Sequence, residues 1–405
     1  MPKLWLPNFE EVTLPDDPCF ESAFARRAKR YASRALFLPS PGDLLLSPAL
    51  PEPAFLRYVS ELGGFPDTSW VLPVREWVEP YSLVGSIFED QSLLDRLRRL
   101  GEDWILEPYI ESPRVLQLSQ QLGIPTGRSR PEQVREGLVE RLNDKGFFKE
   151  LMRELGVPAV PSILARSGTE LEAGILRMGH YERLMLKKTR AGGGLGNLVG
   201  TPEALRQIAP DWFHGAVLVE PFLDLVETIG SLVLIGEEGP EKRVWTDRQL
   251  IREGKWTGFR YPHPSRETCR PIVAWSRRIA QKVHFLGGRG ELDLDWGVLR
   301  DGTILALEAN FRHNGFGSLL HLAQRLFREE RSIAYREDLP LGEKDFDSFL
   351  PWLEERMPVL HGSGSGVVVV MPPSGGEGAL ALFGRDPAEC ERLEERLTDV
   401  LRDCC

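Results

Sequence analysis

ELDLDWGVLRDGTILALEANFR, residues 291–312, reads as two alternating strands around a tight turn. Asp301-Gly302 is a strong hairpin signal between two period-2 runs. As a two-residue loop it sets Arg300 opposite Thr303, and the pairing runs outward from there. One face then carries Leu292, Leu294, Trp296, Val298, Leu305, Leu307, Ala309 and Phe311, all apolar, which specifies the register. The other face sets Asp295 opposite Glu308, Asp293 opposite Asn310 and Glu291 opposite Arg312. Directly opposed like charges destabilise a sheet, so something should compensate Asp295 and Glu308. A divalent cation is one candidate, because Mg²⁺ is commonly held by one or two carboxylates plus substrate phosphates. Asn310 adds a neutral oxygen, and Arg312 can meet a phosphate or a developing oxyanion. The other reading is a solvated acidic face partly neutralised by Arg312.

Upstream, NDKGFFKELMREL, residues 143–155, is a helix. Asn143 or Asp144 can cap it, Phe148, Leu151, Met152 and Leu155 form its apolar stripe, and Gly156 with Pro158 ends it. LMLKKT (184–189), AVLVEPFL (216–223) and SLVLIG (231–236) read as strands, and SLLHLAQRLFRE (318–329) as a helix. Between the first two strands lies TRAGGGLGN, residues 189–197. Consecutive glycines, among them Gly193, Gly194 and Gly196, let several backbone N–H groups turn toward one anion. Lys187 and Lys188 stand just before them. Neither GxxxxGK[ST] nor GxGxxG is spelled there. A phosphate-cradling loop and a surface loop without ligand both fit.

The flanks are simpler. Residues 1–125 alternate strand and helix, as an α/β layer does, and GIPTGRSRPE (123–132) reads as a linker. FESAFARRAKRYASRA (20–35), PAFLRYVSELGG (53–64) and SLLDRLRRLG (92–101) read as helices, VLPVREW (71–77) and DWILEPY (103–109) as strands. HGSGSG (361–366) introduces a tail of one strand, GVVVVM, and one amphipathic helix. The 405 residues suffice for two or three cores. A net charge of −10 argues against general nucleic-acid binding. The five cysteines (19, 269, 390, 404 and 405) have no CxxC spacing and an odd count, which suits a reducing cytosol. No apolar run approaches membrane-spanning length, and the N-terminus lacks a signal core. A soluble cytoplasmic protein is expected.

Lys145 at a helix head, Lys187 before a glycine loop, Glu220 in VLVEPFL, Glu227 seven residues on, Asp295, and Glu308-Ala309-Asn310-Phe311-Arg312 follow one another in an order that resembles the ATP-grasp superfamily. The resemblance covers about residues 140–325 and is specific as a set; Lys145 by itself would be an ordinary first-turn lysine. It implies an α/β fold with a pre-ATP-grasp N-terminal domain (1–125), a two-lobed ATP-grasp domain (126–335, lid lobe about 145–225) and a C-terminal α/β appendage (336–405). It implies that Lys145 and Lys187 contact ATP phosphates and that Glu220, Phe222 and the backbone between them meet adenine. Glu227 would bind ribose, Asp295, Glu308 and Asn310 would hold Mg²⁺ (Mn²⁺ is admissible), and Arg312 would act with Lys187 on the transferring phosphoryl group. The flanks are similar to bacterial peptide ligases of the pheganomycin-synthetase kind. Residues 246–262, rich in Arg and Lys, sit where such enzymes line the substrate pocket. The implied activity joins a carboxylate to an amine, an amino acid or peptide being expected, through an acyl phosphate, with a homodimer as one assembly. A phosphotransferase and a non-catalytic nucleotide-binding regulator are the alternatives.

Overall fold

The computed structural model describes residues 1–12, 31–48, 50–74, 82–191, 196–213, 215–252, 254–360 and 364–402. Most of the helix expected over 20–35 lies outside them.

A parallel sheet opens the chain. Its strands are β1 (Lys3–Leu6), β2 (Leu44–Ser47), β3 (Val71–Pro73) and β4 (Ile105–Pro108), in the order β3-β2-β1-β4. Leu4, Leu6, Leu46, Leu72 and Leu106 are buried in its core against helices such as Pro113–Leu122. The expected linker is no tether. Thr126 bridges Leu106, and Arg128 and Ser129 are buried against the next lobe.

A small antiparallel sheet follows, built from β5 (Ile163–Ala165), β6 (Leu184–Lys188), β7 (Asn197–Gly200) and β8 (Val217–Pro221) in the order β5-β8-β6-β7. Leu184 and Leu186 of β6 point into its core, so Met185 and Lys187 point the other way. Met185 pairs with Glu220 of β8, which places Glu220 on the same face as Lys187.

The third sheet has nine strands. It contains β9 (Leu225–Gly236), β10 (Gly239–Pro240), β11 (Trp245–Arg252), β12 (Lys255–Tyr261), β13 (Gly290–Leu299), β14 (Ile304–Asn310), β15 (Ser332–Pro340), β16 (Gly366–Ser374) and β17 (Glu377–Gly384). The order is β14-β13-β9-β11-β12-β15-β17-β16, with β10 beside β9. The helix Arg266–Phe285 packs on it, and Trp275 of that helix stacks on the buried Trp296. The boundary expected near 335 falls inside β15, and the strands beyond it extend this sheet. The tail supplies a hairpin, β16 with β17, where the sequence reading found one strand. Gly258, at φ +145°, lets β12 approach β15 so closely that a Cβ there would stand 2.0 Å from the Tyr335 carbonyl oxygen.

The β13–β14 hairpin keeps the expected register for Asp293–Asn310, Leu294–Ala309 and Asp295–Glu308. Below them the pairing slips by one residue at a bulge, so that Trp296 faces Ala306 and Val298 faces Ile304. Leu305 and Leu307 therefore leave the Trp296 face, contrary to the alternation pattern. Bulges re-aim side chains beside sites in this way, and Leu307 becomes part of a cavity wall. Among the described residues no helix is long and apolar enough to cross a membrane.

Candidate active site

A cavity of about 570 Å³ lies between the small sheet and the nine-stranded sheet. Lys187, Glu220, Phe222, Asp295, Glu308, Asn310 and Arg312 all line it. The fold thus brings to one place residues scattered over more than a hundred positions.

The helix Lys145–Leu155 feeds one wall. Asp144 caps it, accepting from the Phe147 N–H at 2.9 Å. Asn143 is left for another task. Its Oδ1 accepts from the Phe311 N–H (3.0 Å) and from Arg312 Nη1 (2.8 Å), which fixes the arginine at the end of β14. Lys145 Nζ donates to the Ala191 carbonyl (2.6 Å) and stands 3.3 Å from Glu308 Oε2. One turn on, the buried Lys149 Nζ lies 2.9 Å from Glu220 Oε1, and Lys187 Nζ lies 2.9 Å from Oε2. Burial pushes the Glu220 carboxyl up, but the two ammoniums outweigh it and hold it below the usual range. Burial lowers Lys149 in spite of Glu220.

The acids facing these cations divide into two kinds. Burial raises Glu308, but Lys145, Lys187 and Arg312 outweigh it, so it is held low. Asp293 and Asp295 are pushed well up by burial and by neighbouring carboxylates. The repulsion expected at the Asp295–Glu308 pair thus falls on Asp293 and Asp295, because the lysines neutralise Glu308. Asp295 accepts from Gln249 Nε2 (2.5 Å) and Asn310 Nδ2 (3.2 Å). Asp247, pushed up to about 8 by burial, accepts from the Gly230 N–H at 3.0 Å. Among the described residues no three His, Cys, Asp or Glu stand close enough to hold a metal by themselves.

Other expected residues fare differently. Phe222 lies at the cavity mouth under the Arg183 guanidinium, 4.3 Å away. Gly196, at φ +76°, closes the glycine turn by accepting from the Lys188 N–H at 2.9 Å. Gly193 and Gly194 lie outside the described residues. Glu227 does not reach the cavity. Thr228 takes the inward position on β9, and Glu227 pairs with Arg248 Nε (2.9 Å) and His263 Nε2 (3.3 Å) instead. Of the basic stretch 246–262, Asp247, Gln249, Ile251, Gly254 and Trp256 line the cavity, and its arginines do not. Sequence reasoning missed Lys149, Asp247 and Leu307, and the N-terminal Phe9, Tyr31, Arg34 and Tyr109. Lys149 had a signal, a charge set beside the apolar stripe and four residues after Lys145.

Comparison with known proteins agrees with this architecture. Residues 32–124 match the family described as Pre ATP-grasp domain. The L-propargylglycine–L-glutamate ligase of Streptantibioticus cattleyicolor is 26% identical over 270 residues, covering 59% of this chain and 55% of that one. The arginine-specific carbamoyl phosphate synthase large chain of Geobacillus stearothermophilus is 26% identical over 184 residues, 43% of this chain and 17% of that one. The chain therefore spans only part of both relatives. Among solved structures, the ADP complex of an N5-carboxyaminoimidazole ribonucleotide synthetase superposes with a TM-score of 0.61 at 11% identity, covering 99% of this chain and 96% of that one. The biotin carboxylase domain of the Hydrogenobacter thermophilus 2-oxoglutarate carboxylase, solved with MgADP, gives 0.62 at 14% identity over 98% and 89%. These likenesses concern the fold.

Proposed function

We propose that this chain, an ATP-grasp protein with a pre-ATP-grasp domain, is an ADP-forming ligase that joins a small carboxylic acid to an amine. The observation that carries the reading is one cavity in which Lys187 and Arg312, with Lys145 beside them, face Asp293, Asp295, Glu308 and Asn310. Phosphoryl transfer depends on this kind of positioned opposite charge. In the reaction, a carboxylate oxygen attacks the γ-phosphorus of ATP and ADP leaves. The amine nitrogen then attacks the acyl carbon, phosphate leaves, and the amine proton passes to solvent.

Each residue has a task in this scheme. Lys145 and Lys187 exchange their present partners, Glu308 and Glu220, for phosphate oxygens. Arg312, held by Asn143, meets the charge on the transferring group. Leu307 and Phe222 offer apolar surface to a purine. A divalent cation fits Asp295, Glu308 and Asn310. These are hard oxygen donors, too few among the described residues to hold a metal unaided, so nucleotide oxygens would complete the set. Such an ion supplies charge neutralisation between phosphates. The small sheet, closing over the cavity, would keep water from the acyl phosphate. Release of ADP from Mg·ATP, measured with a panel of acids with and without amines, tests the reading. Release that needs the acid and rises with the amine supports a ligase. Release unaffected by every amine, with a stable phosphorylated product, would sink it in favour of a phosphotransferase.

A further inference from the structure

The same cavity has a further stretch of wall, around Arg34 and the start of the helix that follows Arg312, which the phosphoryl-transfer scheme does not use and which forms its second compartment. Its walls are aromatic, with Phe9, Tyr31, Trp256 and Phe316 among them. At this end lies the first turn of the twelve-residue helix Gly315–Leu326. Helix N-termini leave N–H groups without intrahelical partners and carry partial positive charge. Asn314 caps this one, its Oδ1 accepting from the Gly317 N–H at 2.7 Å. That bond orients the amide, and leaves Nδ2 buried with no hydrogen-bond partner among the described residues. Asn314 is 9% exposed and lines the cavity. A buried amide donor left unmade is unfavourable, so it points to a missing acceptor.

The second donor is Arg34, 7% exposed, from the N-terminal domain. Glu337 of β15 fixes it, with Oε1 3.3 Å from Arg34 Nη1 and accepting from the Tyr335 hydroxyl at 3.2 Å. Gly315 is what lets the guanidinium up to the helix. A Cβ there would stand 3.0 Å from Arg34 Nη1 and 3.1 Å from the Trp256 ring. A planar fork, an amide N–H and a helix N-terminus thus converge beside an aromatic wall.

We infer that this compartment binds the amine substrate as an α-amino acid with an apolar side chain. The carboxylate that does not react is taken by Arg34, Asn314 and the helix N-terminus. The side chain lies on the aromatic wall, and the amino group faces Arg312. The inference rests on the ligase reading and makes it specific.

Calorimetric titration of the full chain, with Mg²⁺ and a non-hydrolysable ATP analogue present, tests it with L-phenylalanine, L-leucine and their carboxamides. Each acid should bind about tenfold or more tightly than its amide, the effect of a charge-assisted fork contact. That ratio should fall toward one in Arg34→Met. Because Arg34→Met removes a buried ion pair, Arg34→Lys, which keeps the charge, and Gly315→Ala, which crowds it, serve as second variants. Both should reduce the ratio. Equal affinity for acid and amide in the wild type overturns the inference, as does a ratio unchanged in Arg34→Lys and Gly315→Ala. Acid-selective binding with no amine-dependent ADP release would support the site and sink the ligase reading. Amine-dependent release without acid selectivity would do the reverse.

Discussion

Lys149 shows what a single buried charge does. It shares Glu220 with Lys187, so neither lysine has the carboxylate to itself. With Lys149 gone, Glu220 has one partner and grips Lys187 harder. Lys149→Met should therefore lower stability by about 2 kcal/mol, less than the loss of a sole buried partner. It should also weaken the affinity for a Mg²⁺-ATP analogue severalfold, because Lys187 leaves Glu220 less readily. Urea unfolding and nucleotide titration read the two effects, and unchanged nucleotide affinity would refute the sharing. Asp247 gives a pH signature. Its carboxyl is raised from 3.8 to about 8 by burial, so the folded state binds a proton that the unfolded state releases. Its share of stability is full below about pH 3.8 and is lost as pH rises toward 8. Asp247→Asn should raise apo stability by at least about 1 kcal/mol at pH 7–8 and change nothing at pH 4. A gain that is equal at both pH values would count against the assignment.

At the scale of elements, Gly258 decides whether the C-terminal strands join the sheet. A methyl group there meets the Tyr335 carbonyl oxygen, and φ +145° strains any other residue. Gly258→Ala should cost about 3 kcal/mol or more and loosen β15 from β12. Amide exchange across 332–340 should rise; protection equal to wild type would refute the close-approach argument. The hairpin shows how far a sequence carries. Its upper three pairs were legible, since Leu294 and Ala309 fit one face while Asp295 and Glu308 fit the other. The bulge was not, because Leu307 is apolar and suits a core face or an apolar cavity wall equally well. The alternation of β6 likewise put Lys187 on the open face, whereas Glu227 was placed by spacing alone. Only the pairing of β9 with its neighbours shows that Thr228, not Glu227, points inward.

At the scale of the molecule, the N-terminal domain is locked to the rest by a buried charge network. Glu107 pairs with Arg128 and Lys3, and its Oε1 is 3.3 Å from His313 Nε2; His313 Nδ1 is 2.7 Å from Glu291. Burial raises Glu107, but Arg128 and His313 outweigh it and hold it well below its usual value. A depressed carboxyl contributes stability above about pH 4.5 that is lost as pH falls through its folded value. Glu107→Gln should thus lower stability by about 2 kcal/mol at pH 7 and flatten the loss below pH 4.5. Thermal unfolding between pH 3 and 7 checks both, and parallel curves for variant and wild type would refute it. None of this was legible from sequence, because partners such as Glu107 and His313, or Arg34 and Glu337, lie two to three hundred residues apart and no local period links them. That separation bears on how the protein is made. The compartment closed by Arg34 and Glu337 draws on the first strand-bearing domain and on β15, so a ribosome must read on for 303 positions past Arg34 before the pocket can exist. Until β17 emerges, β15 presents an open edge, the kind of surface that invites pairing between nascent chains. The interval between those two strands in translation is therefore a stage at which shielding that edge matters to the nascent polypeptide.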